Sequence, residues 1–375
     1  MIIIRYLVYL LGTSVVSIAT FLNLAPQFGS NPTTVQKESF KILPNYKDGQ
    51  FQNLQEHLAT ERVPSAYGKN PWKFFEFFKV DTIRRPKDEI QPTPINLLSF
   101  QQIDFNNYKI AWLGHSAFLL NLAGKTVLLD PMLGLHAAPV PLPIFKRFNS
   151  TLPFALESLK NIDFVVISHD HYDHLDYNTI KAIHDRVAIF LVPLGVGSHL
   201  QKWGVPIEKI IELNWNQNHK TDDIEFVCLP ARHFSGRGIL NQKTTLWSSW
   251  AIKTASINIY FSGDSGYGKH LKQIGLDHGP FDLSLIDCGQ YNQAWYNVHM
   301  FPDHVVKAAN DLNSIYFMPI HWGGVTLSTH AWDEPAREII RLSERIEAKY
   351  VIPKIGEVIS KKTIDKPTTR WWERY

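Results

Sequence analysis

The nine residues Ser168–Asp176 (SHDHYDHLD) place His169, His171, Asp173 and His174 within six positions of one another. Imidazole nitrogen and carboxylate oxygen are good zinc ligands, at roughly 2.0–2.2 Å. A catalytic zinc needs only three protein ligands and keeps a place for water. Four donors packed this closely, with more downstream, point to two ions. A loop leaving the apolar run FVVI can turn His169 and His171 toward one point, and Asp173 and His174 toward a second nearby. A polar surface loop that happens to be histidine-rich is the competing reading, and the buried run in front of the motif speaks against it. Three further donors follow apolar runs: His233 in ARHFSGRG, Asp264 in YFSGDSGYG and His321 in MPIHWGG. Singly, each would be an ordinary polar residue at a strand end. With the first motif they make one site, in which His169, His171 and His233 take one ion, Asp173, His174 and His321 take the other, and Asp264 bridges. Iron and manganese accept the same donors.

The elements that must hold these residues are legible from Tyr108 onward. KIAWLGHSAFLLNLAGKTVLLDP reads as two strands joined by a tight turn at Ala123-Gly124. FVVISHD, VAIFLVP, IEFVCLPARHF, FDLSLIDCG and IYFMPIHWGG read as strands, and LWSSWAIKT with INIYFSGDSG as a hairpin ending at Asp264. Helical patterns fall at 177–187, 302–312 and 334–348, and YVIPKIGEV closes the set. Strands alternating with helices give an α/β class, and each candidate donor lies just after a strand, where layered α/β folds keep their sites.

Of the residues, 45% are hydrophobic and 19% charged, enough apolar material for a large core. Lys and Arg number 38 against 35 Asp and Glu, so the net charge of +3 gives no reason to expect a nucleic-acid partner. The two cysteines, Cys228 and Cys288, lie in apolar runs and read as buried free thiols. From Tyr6 to Ala25 there is no charged residue, a stretch about long enough to cross a bilayer. Residues 1–25 are therefore expected to be a membrane anchor in preference to a cleaved signal. Arg5 in front of them favours a body on the non-cytoplasmic side. Residues 26–105 look like an extension wrapping a catalytic domain at 106–375. Within the extension, PWKFFEFFKVDTIRR (71–85) suits either an interfacial helix or an arm packed on the core.

The order HxHxDH, His, Asp, His at strand ends resembles the metallo-β-lactamase-fold hydrolases. The likeness extends through WLGHSAFLL, LLDPML, ISHDHYDHLDYNTI, LPARHFSGRG, LWSSWAI, YFSGDSGYG, FDLSLIDCGQY, YNVHM and PIHWGG. Over about 51–357 these motifs are similar to N-acyl-phosphatidylethanolamine-hydrolysing phospholipases D. The resemblance implies an αββα sandwich carrying two zinc ions, a phospholipid substrate, a membrane surface and a homodimer. It also implies a supporting carboxylate at Asp130, a histidine beside the metals at His299, and a place for His115 in a family motif. His115 reads best as a tether for the hairpin under the site. Asp130 reads equally as orienting a metal ligand or capping a turn. Asp173, Asp264 and His299 are the candidate catalytic residues, His299 holding the phosphate or protonating the leaving oxygen. Arg237 is expected to be a flexible, exposed side chain. Trp247, Trp250, Trp295 and Trp322 could line an acyl groove, though each alone is more often core. Two alternatives stand beside the phospholipase: a lactonase or phosphodiesterase acting on a soluble substrate, and a non-catalytic membrane-tethered zinc protein. The seven filled donor positions argue against the last.

Overall fold

The computed structural model describes residues 24–54, 83–238, 241–343 and 348–375, together with positions 6, 9, 13, 17, 20 and 21. Most of the apolar N-terminal run, and the aromatic arm as far as residue 82, lie outside the described residues. No helix among the described residues is long and apolar enough to cross a membrane.

Two seven-stranded sheets carry the chain. A small hairpin, β1 (Tyr46–Lys47) and β2 (Gln50–Phe51), precedes them. The first sheet holds β3 (Tyr108–Trp112), β4 (Phe118–Leu122), β5 (Lys125–Leu129), β6 (Ile162–Val166), β7 (Val187–Pro193) and β8 (Ile210–Leu213), with β16 (Val358–Ser360) beside β3. The second holds β9 (Asn218–Lys220), β10 (Glu225–Leu229), β11 (Ser249–Lys253), β12 (Asn258–Phe261), β13 (Phe281–Asp287), β14 (Ser314–Ile320) and β15 (Lys349–Tyr350). In each sheet antiparallel strands give way to parallel ones, at β5–β6 and at β12–β13. Strands covered on both faces read as continuous apolar runs, which is why FVV and VAIFLV lack alternation. Sides still alternate within a strand. Phe118, Leu120 and Leu122 of β4 join the core between the sheets. Leu119 joins Ile180, Ile183, Leu200 and Trp203 in a second core, under the helices Tyr177–Ile183 and Gly197–Lys202.

The stretch expected to hold two strands from Lys109 to Pro131 holds three. Gly114 and His115 adopt left-handed backbone (φ 94° and 56°), which breaks the ladder between β3 and β4. The His115 backbone pairs instead with the second sheet, accepting from His321 N at 3.1 Å and donating to Trp322 O at 3.0 Å. The turn at Ala123-Gly124 joins β4 to β5. The closing run YVIPKIGEV serves both sheets, through β15 and β16. Strands β8 and β9 and the helices Gly197–Lys202 and Lys269–His278 were not legible in the pattern, because short half-buried segments carry weak periodicity. Residues 24–54 and 83–105 pack along the sandwich: Phe51 N donates to Lys243 O, and Ile95 and Phe100 enter the second core.

Candidate metal centre

Strands β3, β5, β6, β10, β12, β13 and β14 end in loops that meet at one edge of the sandwich. Asp130 follows β5, the HDHYDH loop follows β6, and Asp264 follows β12. Asp287 ends β13 and His321 follows β14 directly. His233 sits four residues beyond β10, because Pro230 ends the strand at Leu229. Asp176 closes the HDHYDH loop as helix N-cap, accepting from Asn178 N and Thr179 N. Gly263 lets the Asp264 loop approach; a Cβ there would lie 2.4 Å from Ser168 Cβ and on a φ of 54°. His115, Asp130 and His321 all have positive φ, strain of about 1–3 kcal/mol each that persists where surrounding contacts fix the backbone.

All seven candidate donors converge. Asp264 Oδ1 lies 3.0 Å from His174 Nε2 and 3.1 Å from His321 Nδ1, while its Oδ2 lies 3.7 Å from His169 Nε2 and 3.6 Å from His233 Nε2. His171 Nδ1 lies 2.9 Å from His169 Nε2 and 3.3 Å from His233 Nε2. Asp173 Oδ2 lies 3.4 Å from His174 Nε2 and 3.9 Å from His321 Nε2. Thus His169, His171 and His233 cluster on one side of Asp264, with Asp173, His174 and His321 on the other. His174 Nε2 and Asp264 Oδ1 are buried without a hydrogen-bond partner despite their approach. Lone-pair donors crowded this way fit cations between them.

The other nitrogen of most of these histidines is engaged. Asp130 Oδ2 accepts from His174 Nδ1 at 2.6 Å and from Ser168 Oγ at 2.5 Å, and its Oδ1 accepts from Ser168 N at 2.7 Å. Asp130 therefore both orients a candidate ligand and ties down the loop. Ser168 Oγ meets His169 Nδ1 at 2.9 Å, and Val298 O accepts from His233 Nδ1 at 3.1 Å. His115 does more than tether a hairpin: its Nε2 donates to Asp173 Oδ2 at 2.8 Å. His299 stacks on the His321 ring, 5.0 Å between centroids. Its Nδ1 donates to Asp287 Oδ2 at 2.9 Å, leaving Nε2 for a substrate. Sequence reasoning missed Asp287, since one acid at a strand end carries no signal until the fold brings His299 beside it. It also missed Ser116, whose hydroxyl lies 3.1 Å from His321 Nδ1.

Burial holds His169, His233 and His321 well below the ordinary histidine range, with neighbouring imidazoles adding to it, and it lowers His171 to about 4. Neutral imidazoles are what a metal requires. Burial would lower His174 too, but Asp264, Asp173 and Asp130 outweigh it and raise it. Burial likewise opposes the raised His299, where Asp287 prevails. Burial pushes the Asp264 carboxyl up to about 7, so its ionised form calls for a cation beside it.

Arg237, expected outside, is buried. Its guanidinium donates to Gln27 O, Asp170 O and Leu175 O and lies over the Tyr172 ring. The fold draws it in because those carbonyls need donors under the HDHYDH loop. Trp247, Trp250 and Trp322 are buried and Trp295 half-buried. Trp250 Nε1 donates to Ile167 O at 3.1 Å and Trp247 Nε1 to Ala231 O at 3.0 Å, so both brace the loops of the site. Both cysteines are buried free thiols.

The β-lactamase superfamily domain matches residues 125–322. An uncharacterised protein of Mycobacterium tuberculosis is 39% identical over 333 residues, 88% of this chain and 87% of that protein. The N-acyl-phosphatidylethanolamine-hydrolysing phospholipase D 1 of Caenorhabditis elegans is 34% identical over 66% of this chain and 74% of its own length. Among solved structures, an isothiocyanate hydrolase from Delia radicum gut bacteria superposes with a TM-score of 0.54 at 20% identity, over 67% of this chain and 98% of its own. The fold is that of the metallo-β-lactamases, and the chain belongs to their superfamily as a metal-dependent hydrolase.

Proposed function

We propose that this protein is a two-zinc phosphodiester hydrolase of the phospholipase D type. It cleaves N-acyl-phosphatidylethanolamine to N-acylethanolamine and phosphatidic acid. One observation carries the hydrolytic part: each oxygen of Asp264 faces two histidines of a different donor set, His174 and His321 at 3.0–3.1 Å and His169 and His233 at 3.6–3.7 Å. The lipid part rests on likeness to the Caenorhabditis elegans enzyme, which runs well beyond the metal motif.

His169, His171 and His233 would hold one ion, and Asp173, His174 and His321 the other. When bound, the ions supply Lewis acidity and a water of lowered pKa. The chain's own part is positional and protic. Asp173 is fixed by His115 and Asp264 by its loop, so the negative groups stay in place while charge moves on the phosphate. His299, steadied by Asp287, offers Nε2 to the substrate and delivers a proton to the departing ethanolamine oxygen. Water gives its hydroxyl to phosphorus as the bond from phosphorus to that oxygen breaks, and the proton water leaves behind replaces the one His299 spent.

On this reading the chain works at a membrane surface, held by the apolar run 6–25, and pairs with a second copy. Vesicle flotation and analytical ultracentrifugation check those two points. The reaction is tested by mass spectrometry on metal-quantified protein in detergent with N-acyl-phosphatidylethanolamine. Release of both products, lost on chelation and restored by zinc, is expected. No release from protein carrying two ions would remove the lipid assignment and favour lactones or soluble phosphodiesters.

A further inference from the structure

Residues 24–54 press on the metal centre from one side. Asn53 clamps the backbone of His233, 180 positions away: its Nδ2 donates to His233 O at 2.9 Å, and its Oδ1 accepts from His233 N at 3.2 Å. Gln27 O accepts Nε and Nη2 of Arg237 at 3.0 and 2.7 Å, and the same guanidinium donates to Asp170 O at 2.6 Å. Ser30 N donates to His199 Nδ1 at 3.0 Å, and His199 Nε2 meets the Asp170 carboxylate at 3.1 Å. Gly29 makes that approach possible, since a Cβ there would lie 2.0 Å from His199 Nδ1. Phe28 sets its edge against Tyr172.

These contacts are weighted to one side, although the Arg237 that Gln27 holds also donates to Leu175 O at 2.7 Å, beside His174. They reach the loop segment between His169 and Tyr172 and the loop from His233 to Arg237, which carry His169, His171 and His233. Among the described residues, the side-chain hydrogen bonds to Asp173 and His174 come from His115, Asp130 and Ser168 on loops of the first sheet, while His321 meets Ser116 through Nδ1 and Gln290, beyond β13, through its carbonyl; none of these partners lies in residues 24–54.

We infer that the N-terminal extension is a structural part of one half of the metal centre, with Asn53 the positioning residue that sets the affinity of the His169–His171–His233 half. The inference rests on the two-ion reading above. Partners behind a metal ligand are worth about 10–100-fold in metal affinity. Asn53 acts on the backbone of His233, leaving the His174 half untouched.

The test is a chelator-competition titration of the full-length protein with zinc, read beside cadmium-113 NMR of the cadmium-loaded protein, in which the two halves have different ligand sets. Asn53→Ala is expected to weaken one site by about tenfold or more and to shift one resonance, with the other unchanged. If Asn53→Ala does not fold, the isosteric Asn53→Asp carries the test. It still accepts from His233 N but sets a carboxylate oxygen against His233 O. Two unchanged sites, or two equally weakened, would overturn the inference. A wild-type protein binding fewer than two ions would instead overturn the two-ion reading, and this inference with it.

Discussion

Asp130→Asn is the substitution whose consequence can be worked furthest. The carboxylate accepts from His174 Nδ1 and Ser168 Oγ through Oδ2, and from Ser168 N through Oδ1. Because a carboxylate only accepts, His174 must carry its proton on Nδ1, leaving the Nε2 lone pair toward Asp264. Ser168 Oγ spends its proton on Asp130, so it accepts from His169 Nδ1, and the Nε2 of His169 is left bare as well. One carboxylate thus sets the tautomers of a histidine in each half of the centre. Asparagine has the same shape and keeps an acceptor for Ser168 N, but presents NH₂ where Oδ2 stood. His174 Nδ1 must then accept, and the proton moves to the nitrogen that faces the ion. Ser168 can accept from the new amide and donate to His169, inverting that ring too. Each inversion is expected to cost about 10–100-fold in metal affinity, or about 1.4–2.8 kcal/mol. Competition against a chromophoric chelator measures it. Wild-type affinity at both sites in Asp130→Asn would refute the tautomer argument.

His299→Ala is expected to lower kcat by about 10²-fold or more, with metal content by mass spectrometry unchanged; an unaltered kcat would take His299 out of the chemistry. Trp250→Ala removes a buried indole and its bond to Ile167 O, and should cost about 3–5 kcal/mol in urea unfolding. Burial raises Glu212 in the folded state, so its contribution is fully present below the unfolded carboxyl pKa and is lost as pH rises through the folded one. Glu212→Gln should therefore raise Tm over wild type near about pH 7 and not near about pH 3; equal gains at both would show that charge is not the cause.

The donors were legible because metal chemistry admits few residue types and HDHYDH sits directly after a buried strand. Asp264 and His321 could be read for the same reason, each next to an apolar run. What supports them could not. Asp287, Ser116 and Asn53 are common polar residues whose role exists only once the fold brings them beside His299, His321 and His233. Arg237 was misjudged because exposure is the usual lot of arginine, and nothing local shows that Gln27, Asp170 and Leu175 leave carbonyls for it. The third strand before Pro131 was hidden by the left-handed turn at Gly114-His115, which looks like strand in an apolar window.

Anomalous diffraction at the zinc edge, from crystals of zinc-loaded protein, tests the central claim most directly. Two peaks about 3.5–4 Å apart are expected, with Asp264 between them. One should be ringed by His169, His171 and His233, and the other by Asp173, His174 and His321. A single peak, or peaks outside these residues, would contradict the two-ion centre from which the chemistry is derived.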